Sequence, residues 1–129
     1  PAEAEKFVSE TGVDALAVSI GTAHGTYHSE PTLNIERLKE LREAVSIPLV
    51  LHGGSGTPDG QIRESIRNGV CKLNIFADER QAMYRGLKRS AGIHTRPDPL
   101  PEEMFRPIKE ELSTIIEEKV RLCGSDGRA

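Results

Sequence analysis

The sequence predicts an α/β protein in which short parallel strands alternate with helices. Three brief apolar runs, 15–20, 47–51 and 70–75, are each followed by Gly, His or Asn. Such runs are typical of strands buried on both faces of a parallel sheet. Helical patterns separate the runs, which indicates βαβ connections. Three strands of this kind form either an open sheet or part of a barrel wall, and the periodicity does not decide between the two.

Apolar residues at helical spacing predict five helices, around residues 4–8, 35–45, 58–67, 83–87 and 102–123. Asn34 is placed to cap the second helix, and Thr57 to cap the third with Pro58 at its first position. Residues 92–101 hold three prolines and predict a linker to the terminal helix, 102–123.

Length and charge exclude several classes of protein. The chain has 129 residues, enough for one domain but fewer than the roughly 200 of a complete (β/α)8 barrel. With 17 basic and 20 acidic side chains the net charge is −3, so no nucleic-acid partner is expected. No apolar run reaches the roughly 20 residues of a membrane helix, so no membrane partner is expected. The two cysteines predict reduced thiols in a cytoplasmic protein.

Two histidines follow predicted strands, at the edge where parallel α/β proteins bind ligands. His24 follows the first strand and His52 the second. Because these positions match, the pair is a candidate for two imidazole ligands of one divalent metal, although a lone loop histidine is more often simply hydrogen-bonded. Zinc sites take at least three protein ligands, so this pair alone leaves the metal site incomplete.

Three further features at the strand ends have both a chemical and a structural interpretation. The glycine-rich segment 53–57 fits a phosphate cradle, or a flexible strand-to-helix turn. Asn74 is placed either to bind a substrate hydroxyl or carbonyl, or to cap the next helix. Lys72 lies within the third strand, where a Schiff-base role is conceivable and a solvent-facing lysine is the plainer interpretation.

Three segments resemble one enzyme family over these same residues. Residues 11–25 resemble the segment around a zinc histidine of class II fructose-bisphosphate and tagatose-bisphosphate aldolases. Residues 48–56 resemble the next zinc-histidine strand with its phosphate loop, and 69–75 the following strand. The resemblance covers 1–129 in the family's order. It implies the C-terminal portion of a (β/α)8 barrel, about three parallel βα units plus a C-terminal helix.

The resemblance implies zinc-dependent, reversible aldol cleavage of a ketose bisphosphate to dihydroxyacetone phosphate and an aldehyde. This is a lyase reaction of carbohydrate metabolism, as in glycolysis. His24 and His52 would bind Zn2+, and the complete protein would be a homodimer or homotetramer. The phosphate, often beside a Na+ or K+ ion, would contact Gly25, Gly53, Gly54 and Ser55. The rest of the implied substrate site is Asn74, Ile75, Phe76, Ala77 and Arg106, the last of which reaches a neighbouring subunit's sugar phosphate in some members.

Two departures from the family separate this chain from a complete enzyme. Ala77 stands where members commonly have threonine, which removes a hydroxyl donor. The family's first half, with the third zinc histidine, the general-acid aspartate and a glutamate loop, is expected upstream of Pro1. No catalytic residue is therefore assigned here, and the isolated 129-residue chain is expected to be inactive.

Several questions remain open from the sequence. The choice between fructose and tagatose substrates is not decided. The alternative functions are a non-catalytic phosphate- or metal-binding barrel remnant, an interaction module, or an isomerase-like barrel fragment that uses the phosphate loop without metal.

Overall fold

The computed structural model describes residues 1–23, 25, 29–94 and 96–128. Its elements are α1 (Ala2–Thr11), β1 (Leu16–Ala17), α2 (Ile35–Ala44), β2 (Leu49–Leu51), α3 (Asp59–Arg67), β3 (Val70–Leu73), α4 (Ala77–Ile93) and α5 (Pro101–Leu122). The chain divides into two compact units, 1–75 and 76–129, where the length had suggested one domain. The first unit holds all three strands of the described residues, and the second holds α4 and α5.

The three strands form a parallel sheet in the order β1-β2-β3, which confirms the α/β prediction. Leu16 pairs with Leu49 on β2, and Leu51 pairs with Leu73 on β3. β1 and β3 are shorter than the predicted 15–20 and 70–75. After β1, the Val18 N–H still donates to the Val50 carbonyl of β2, whereas the Ile20 carbonyl accepts a hydrogen bond from the Asn34 N–H.

One face of this sheet is buried and the other is largely exposed. Leu49 and Leu51 are fully buried, whereas Ala17, Ser19 and Lys72 are exposed. The predicted burial on both faces is therefore wrong for β1 and β3, and holds only for β2, whose three residues are all buried. Alternation of side chains across the strand accounts for the two residues of β1. In β3 the consecutive residues Cys71 and Lys72 are both exposed, and the pairing with β2 is irregular between Leu49 and Val50. The exposed face carries small and charged side chains that offer little apolar area to cover.

The two predicted helix caps have different outcomes. The Asn34 cap is confirmed, since its side-chain oxygen accepts a hydrogen bond from the Arg37 N–H at 2.9 Å. The third helix begins one residue later than predicted, with Pro58 as the N-cap residue. The Thr57 hydroxyl instead donates to the Gly53 carbonyl at 3.5 Å, which links the start of α3 to the glycine-rich segment.

The second unit is a pair of helices joined by a connector shorter than the predicted 92–101. Gly92 lies within α4, and Pro101 is the first residue of α5, where proline is favoured because no N–H is needed. The terminal helix accordingly spans Pro101–Leu122 and not 102–123. The Glu103 carboxylate accepts a hydrogen bond from the Leu100 N–H at 2.8 Å, and this bond lowers the pKa of Glu103.

α4 and α5 pack closely where Gly86 meets Ile108. A Cβ at Gly86 would lie only 2.5 Å from the Ile108 Cα, so the two backbones meet without a side chain between them. Arg85 pairs with Glu111 at 3.1 Å, which adds an ion pair between the same helices. Among the residues that the structure describes, no helix is long and apolar enough to cross a membrane.

Candidate active site

His52 and Asn74 come together at the carboxyl end of the sheet. His52 directly follows β2, Asn74 directly follows β3, and the two strands are paired in parallel. The Asn74 Nδ2 atom lies 3.0 Å from Nε2 and 3.2 Å from Nδ1 of the exposed His52 ring. The sequence left Asn74 as either a substrate contact or the cap of the next helix. The N-cap residue of α4 is Phe76, and the Asn74 side chain lies at this edge.

The backbone of Asn74 is fixed to β2 and to the glycine-rich segment. Its N–H donates to the Leu51 carbonyl at 2.9 Å, and its carbonyl accepts from the Gly54 N–H at 3.0 Å. Asn74 therefore holds the segment after β2 against the segment after β3. The parallel register of the two strands continues past the last residues of the sheet.

Lys72 contacts Asn74, which in turn contacts His52, so three polar side chains are connected at this edge of the sheet. Its Nζ donates to the Asn74 Oδ1 at 2.7 Å, while the amide nitrogen of Asn74 faces His52. Sequence reasoning treated this lysine as solvent-facing, and it is exposed, but it is bonded to a candidate site residue. The sequence indicates this contact by the two-residue spacing of Lys72 and Asn74, because residues two apart on a strand share a face.

The segment after His52 needs glycine for two physical reasons. Gly53 has φ +68°, a left-handed conformation, and a Cβ there would lie 2.4 Å from the Ala23 carbonyl oxygen. A Cβ on Gly54 would lie 2.4 Å from Leu73 Cδ1. Ser55, the predicted hydroxyl donor, is buried at 5% exposure. The segment is thus a closely packed turn between β2 and α3.

An open cavity of about 230 Å³ adjoins this edge of the sheet. It is lined by Ala17, Val18, Ser19, Thr22, Ala23, His52 and Gly53. Sequence reasoning did not single out Ser19 or Thr22. The sequence feature that could have identified them is the change from apolar to hydroxyl side chains where the first predicted strand ends. The volume is smaller than the roughly 300–1,000 Å³ of drug-sized sites and suits a small ligand.

The other predicted substrate residues are distributed over both units. In the first unit, Gly25 is exposed with φ +100°, and Ile75 is half-buried. In the second unit, Phe76 is exposed with the Arg80 guanidinium 5.5 Å from its ring centre, and Ala77 begins α4. Arg106 is exposed on α5.

His52 is the predicted zinc ligand that lies among the described residues. Within 1–23, 25, 29–94 and 96–128, no three His, Cys, Asp or Glu side chains are grouped to hold a metal. His52 offers an exposed imidazole, a donor that zinc binds well. His24, the other predicted ligand, lies outside the described residues. The residues present therefore fit one ligand position of a metal site.

The sequence pattern of the family described as fructose-bisphosphate aldolase class-II matches residues 1–128. This chain belongs to that family. The resemblance seen in the three strand-end segments is thereby confirmed over nearly the whole chain.

Solved structures of aldolases share this fold. The YdjI aldolase from Escherichia coli K12 is 39% identical with a TM-score of 0.85, over 100% of this chain and 46% of that one. The fructose-bisphosphate aldolase from Campylobacter jejuni is 21% identical with a TM-score of 0.77, over 96% of this chain and 44% of that one. This chain thus spans slightly less than half of these aldolases. Its three parallel βα units are consistent with part of a (β/α)8 barrel.

A Gly53→Ala substitution in the complete protein tests whether the glycine-rich segment binds phosphate. The added Cβ meets a backbone oxygen and opposes the left-handed backbone, so we expect the segment to shift. We predict at least a roughly tenfold weaker affinity for inorganic phosphate, since backbone N–H groups must be aimed at the anion. Isothermal titration with phosphate measures this. Gly60→Ala, where a Cβ meets nothing within 4 Å, is the control, and equal affinity in both variants would contradict the prediction.

Proposed function

We propose that the complete protein is a zinc-dependent class II ketose-bisphosphate aldolase, to which this chain contributes two zinc histidines and the phosphate site. The reaction is reversible cleavage of a fructose or tagatose bisphosphate to dihydroxyacetone phosphate and an aldehyde. The observation that carries this proposal is the His52–Asn74 pair, placed by two parallel strands at one edge of the sheet in a member of the aldolase family.

His24 and His52 would hold the zinc ion, with a third histidine from the remainder of the protein. His52 supports this assignment because its imidazole is exposed beside the cavity lined by Ser19 and Thr22. Zinc supplies Lewis-acid polarisation of a substrate carbonyl when it is bound. The Asn74 amide nitrogen, already directed at His52, is placed to donate a hydrogen bond to a substrate oxygen held nearby.

The phosphate would be bound by backbone groups of the glycine-rich segment. Gly25, Gly53, Gly54 and Ser55 are the assigned contacts, with a Na+ or K+ ion as a further partner. The position of this segment, between β2 and the start of α3, supports this role, because backbone N–H groups at the N-terminus of a helix bind anions. Gly53 and Gly54 themselves pack against protein atoms, and the Gly54 N–H donates to the Asn74 carbonyl. Ile75, Phe76 and Ala77, which follow Asn74 in the sequence, are the remaining assigned substrate contacts.

The proton-transfer groups are assigned to the remainder of the protein. They are the general-acid aspartate and the glutamate loop that the family carries ahead of this region. Arg106 is assigned to the sugar phosphate of a neighbouring subunit in a homodimer or homotetramer. A cytoplasmic location is proposed on the free thiols of Cys71 and Cys123, which suit a reducing compartment.

Metal removal tests the proposed function. We expect the complete protein to release dihydroxyacetone phosphate from fructose or tagatose 1,6-bisphosphate, to lose at least about 10³-fold in rate after dialysis against EDTA, and to recover with Zn2+. A coupled dehydrogenase assay for dihydroxyacetone phosphate measures the rate. The isolated 129-residue chain is expected to be inactive, because it lacks the proton donor. Full release of dihydroxyacetone phosphate in EDTA would overturn the proposal, because cleavage would then need no metal.

A further inference from the structure

Lys72 is an exposed lysine of β3 whose ammonium group contacts Asn74, a candidate site residue. It pairs in register with Val50 on β2, and its ammonium nitrogen lies 2.7 Å from the Asn74 side-chain oxygen. Lys72 and Asn74 are two residues apart, so both side chains project from the same face of the sheet. The contact holds a long, flexible side chain in one direction, which costs rotamer entropy.

The contact fixes the direction of the Asn74 amide. An ammonium group donates hydrogen bonds and cannot accept them, so the amide end facing Lys72 must be the oxygen. The nitrogen end is then directed to the other side, 3.0 Å from the His52 Nε2 atom. The oxygen and nitrogen ends of an amide have nearly the same shape, so the partners at each end decide which way it faces.

We propose that Lys72 is a positioning residue that holds the Asn74 amide with its N–H group toward His52. The inference rests on the proposed function, in which a substrate oxygen is bound beside His52. A preorganised N–H donor stabilises negative charge that develops on such an oxygen. Without Lys72, the amide loses the partner that fixes its oxygen end, and a turned amide would direct its oxygen at the substrate oxygen that its nitrogen end attracts.

A double-mutant cycle in the complete, zinc-loaded protein tests whether Lys72 acts through Asn74. We expect Lys72→Met to lower kcat by about 10- to 100-fold, the usual effect of removing a group that orients a site residue, with KM nearly unchanged. Added to Asn74→Ala, it should cause no further loss. Lys72→Arg, which keeps a cationic donor, should recover most of the rate. Lys39→Met, which removes a lysine paired with Glu36 on α2, is the control and should retain the parent rate.

A second measurement needs neither metal nor activity. In the metal-free protein, the side-chain ¹⁵N–¹H signals of Asn74, assigned by their loss in Asn74→Ala, should shift in Lys72→Met and stay in place in Lys39→Met. Unmoved signals, or additive losses of kcat in the cycle, would overturn the proposal. Trapping of substrate on Lys72 by borohydride would also overturn it, since the amine would then act as a nucleophile. If the unsubstituted protein cleaves no ketose bisphosphate, the proposed function fails, and these signals alone decide the role of Lys72.

Discussion

Replacing His52 by alanine in the complete protein is expected to remove the bound zinc and lower aldol cleavage by at least about 10³-fold. The imidazole follows the end of β2, and the described residues hold no group of three His, Cys, Asp or Glu side chains that could bind a metal without further ligands. Loss of one protein ligand from a three-ligand zinc site leaves too few donors. The metal contributes several kcal/mol of charge stabilisation, which corresponds to this change in rate.

Zinc content by atomic emission and the release of dihydroxyacetone phosphate measure the two effects together. His94→Ala is the matched control, because His94 lies in the connector after α4, with Nε2 3.3 Å from the Glu103 carbonyl. We expect that variant to keep its zinc and its rate. Stoichiometric zinc in His52→Ala would contradict the assignment of this residue as a ligand.

A Gly86→Ala substitution is expected to lower the free energy of unfolding of the α4–α5 pair by about 1–3 kcal/mol, as overpacking does. The new Cβ would lie 2.5 Å from the Ile108 Cα and 2.9 Å from the Pro107 carbonyl oxygen, both of which are backbone atoms. The helices must therefore move apart. Alanine gains about 1 kcal/mol of helix propensity over glycine, which offsets only part of this cost.

Gly92→Ala is the control for this prediction. Gly92 lies on the same helix, and a Cβ there meets nothing within 4 Å, so only the gain in helix propensity remains. We expect this variant to be as stable as the parent chain or slightly more stable. Urea unfolding followed by circular dichroism gives both values. Equal stability of Gly86→Ala and Gly92→Ala would show that the helices do not meet at Gly86.

Features with local causes were predictable from the sequence. The Asn34 cap is predictable because an asparagine side chain before a helix accepts a hydrogen bond from the N–H group three residues later, here that of Arg37. The three strands follow from short apolar runs, and their parallel arrangement follows from the helices between them. The approach of His52 to Asn74 also follows, because consecutive parallel strands end at the same edge.

Features that depend on the rest of the fold were not predictable. The exposure of Ala17 and Lys72 depends on what covers each face of the sheet, and the apolar pattern does not encode that. Gly92 and Pro101 were assigned to the connector on composition alone, whereas Gly92 lies within α4 and Pro101 begins α5. The Lys72–Asn74 contact depends on rotamers that no sequence pattern specifies. The zinc role of His24 stays a prediction, because this residue lies outside the described residues.

The most direct test of the proposed site is an anomalous difference map from crystals of the complete protein, with X-ray data collected at the absorption edge of zinc. We predict a single strong peak about 2.0–2.1 Å from one ring nitrogen of His52 and one of His24, the usual zinc–imidazole distance. It should lie beside the Asn74 amide and the segment that begins at Gly53. A zinc peak bound to other residues, with His52 free of metal in a fully active enzyme, would contradict this account.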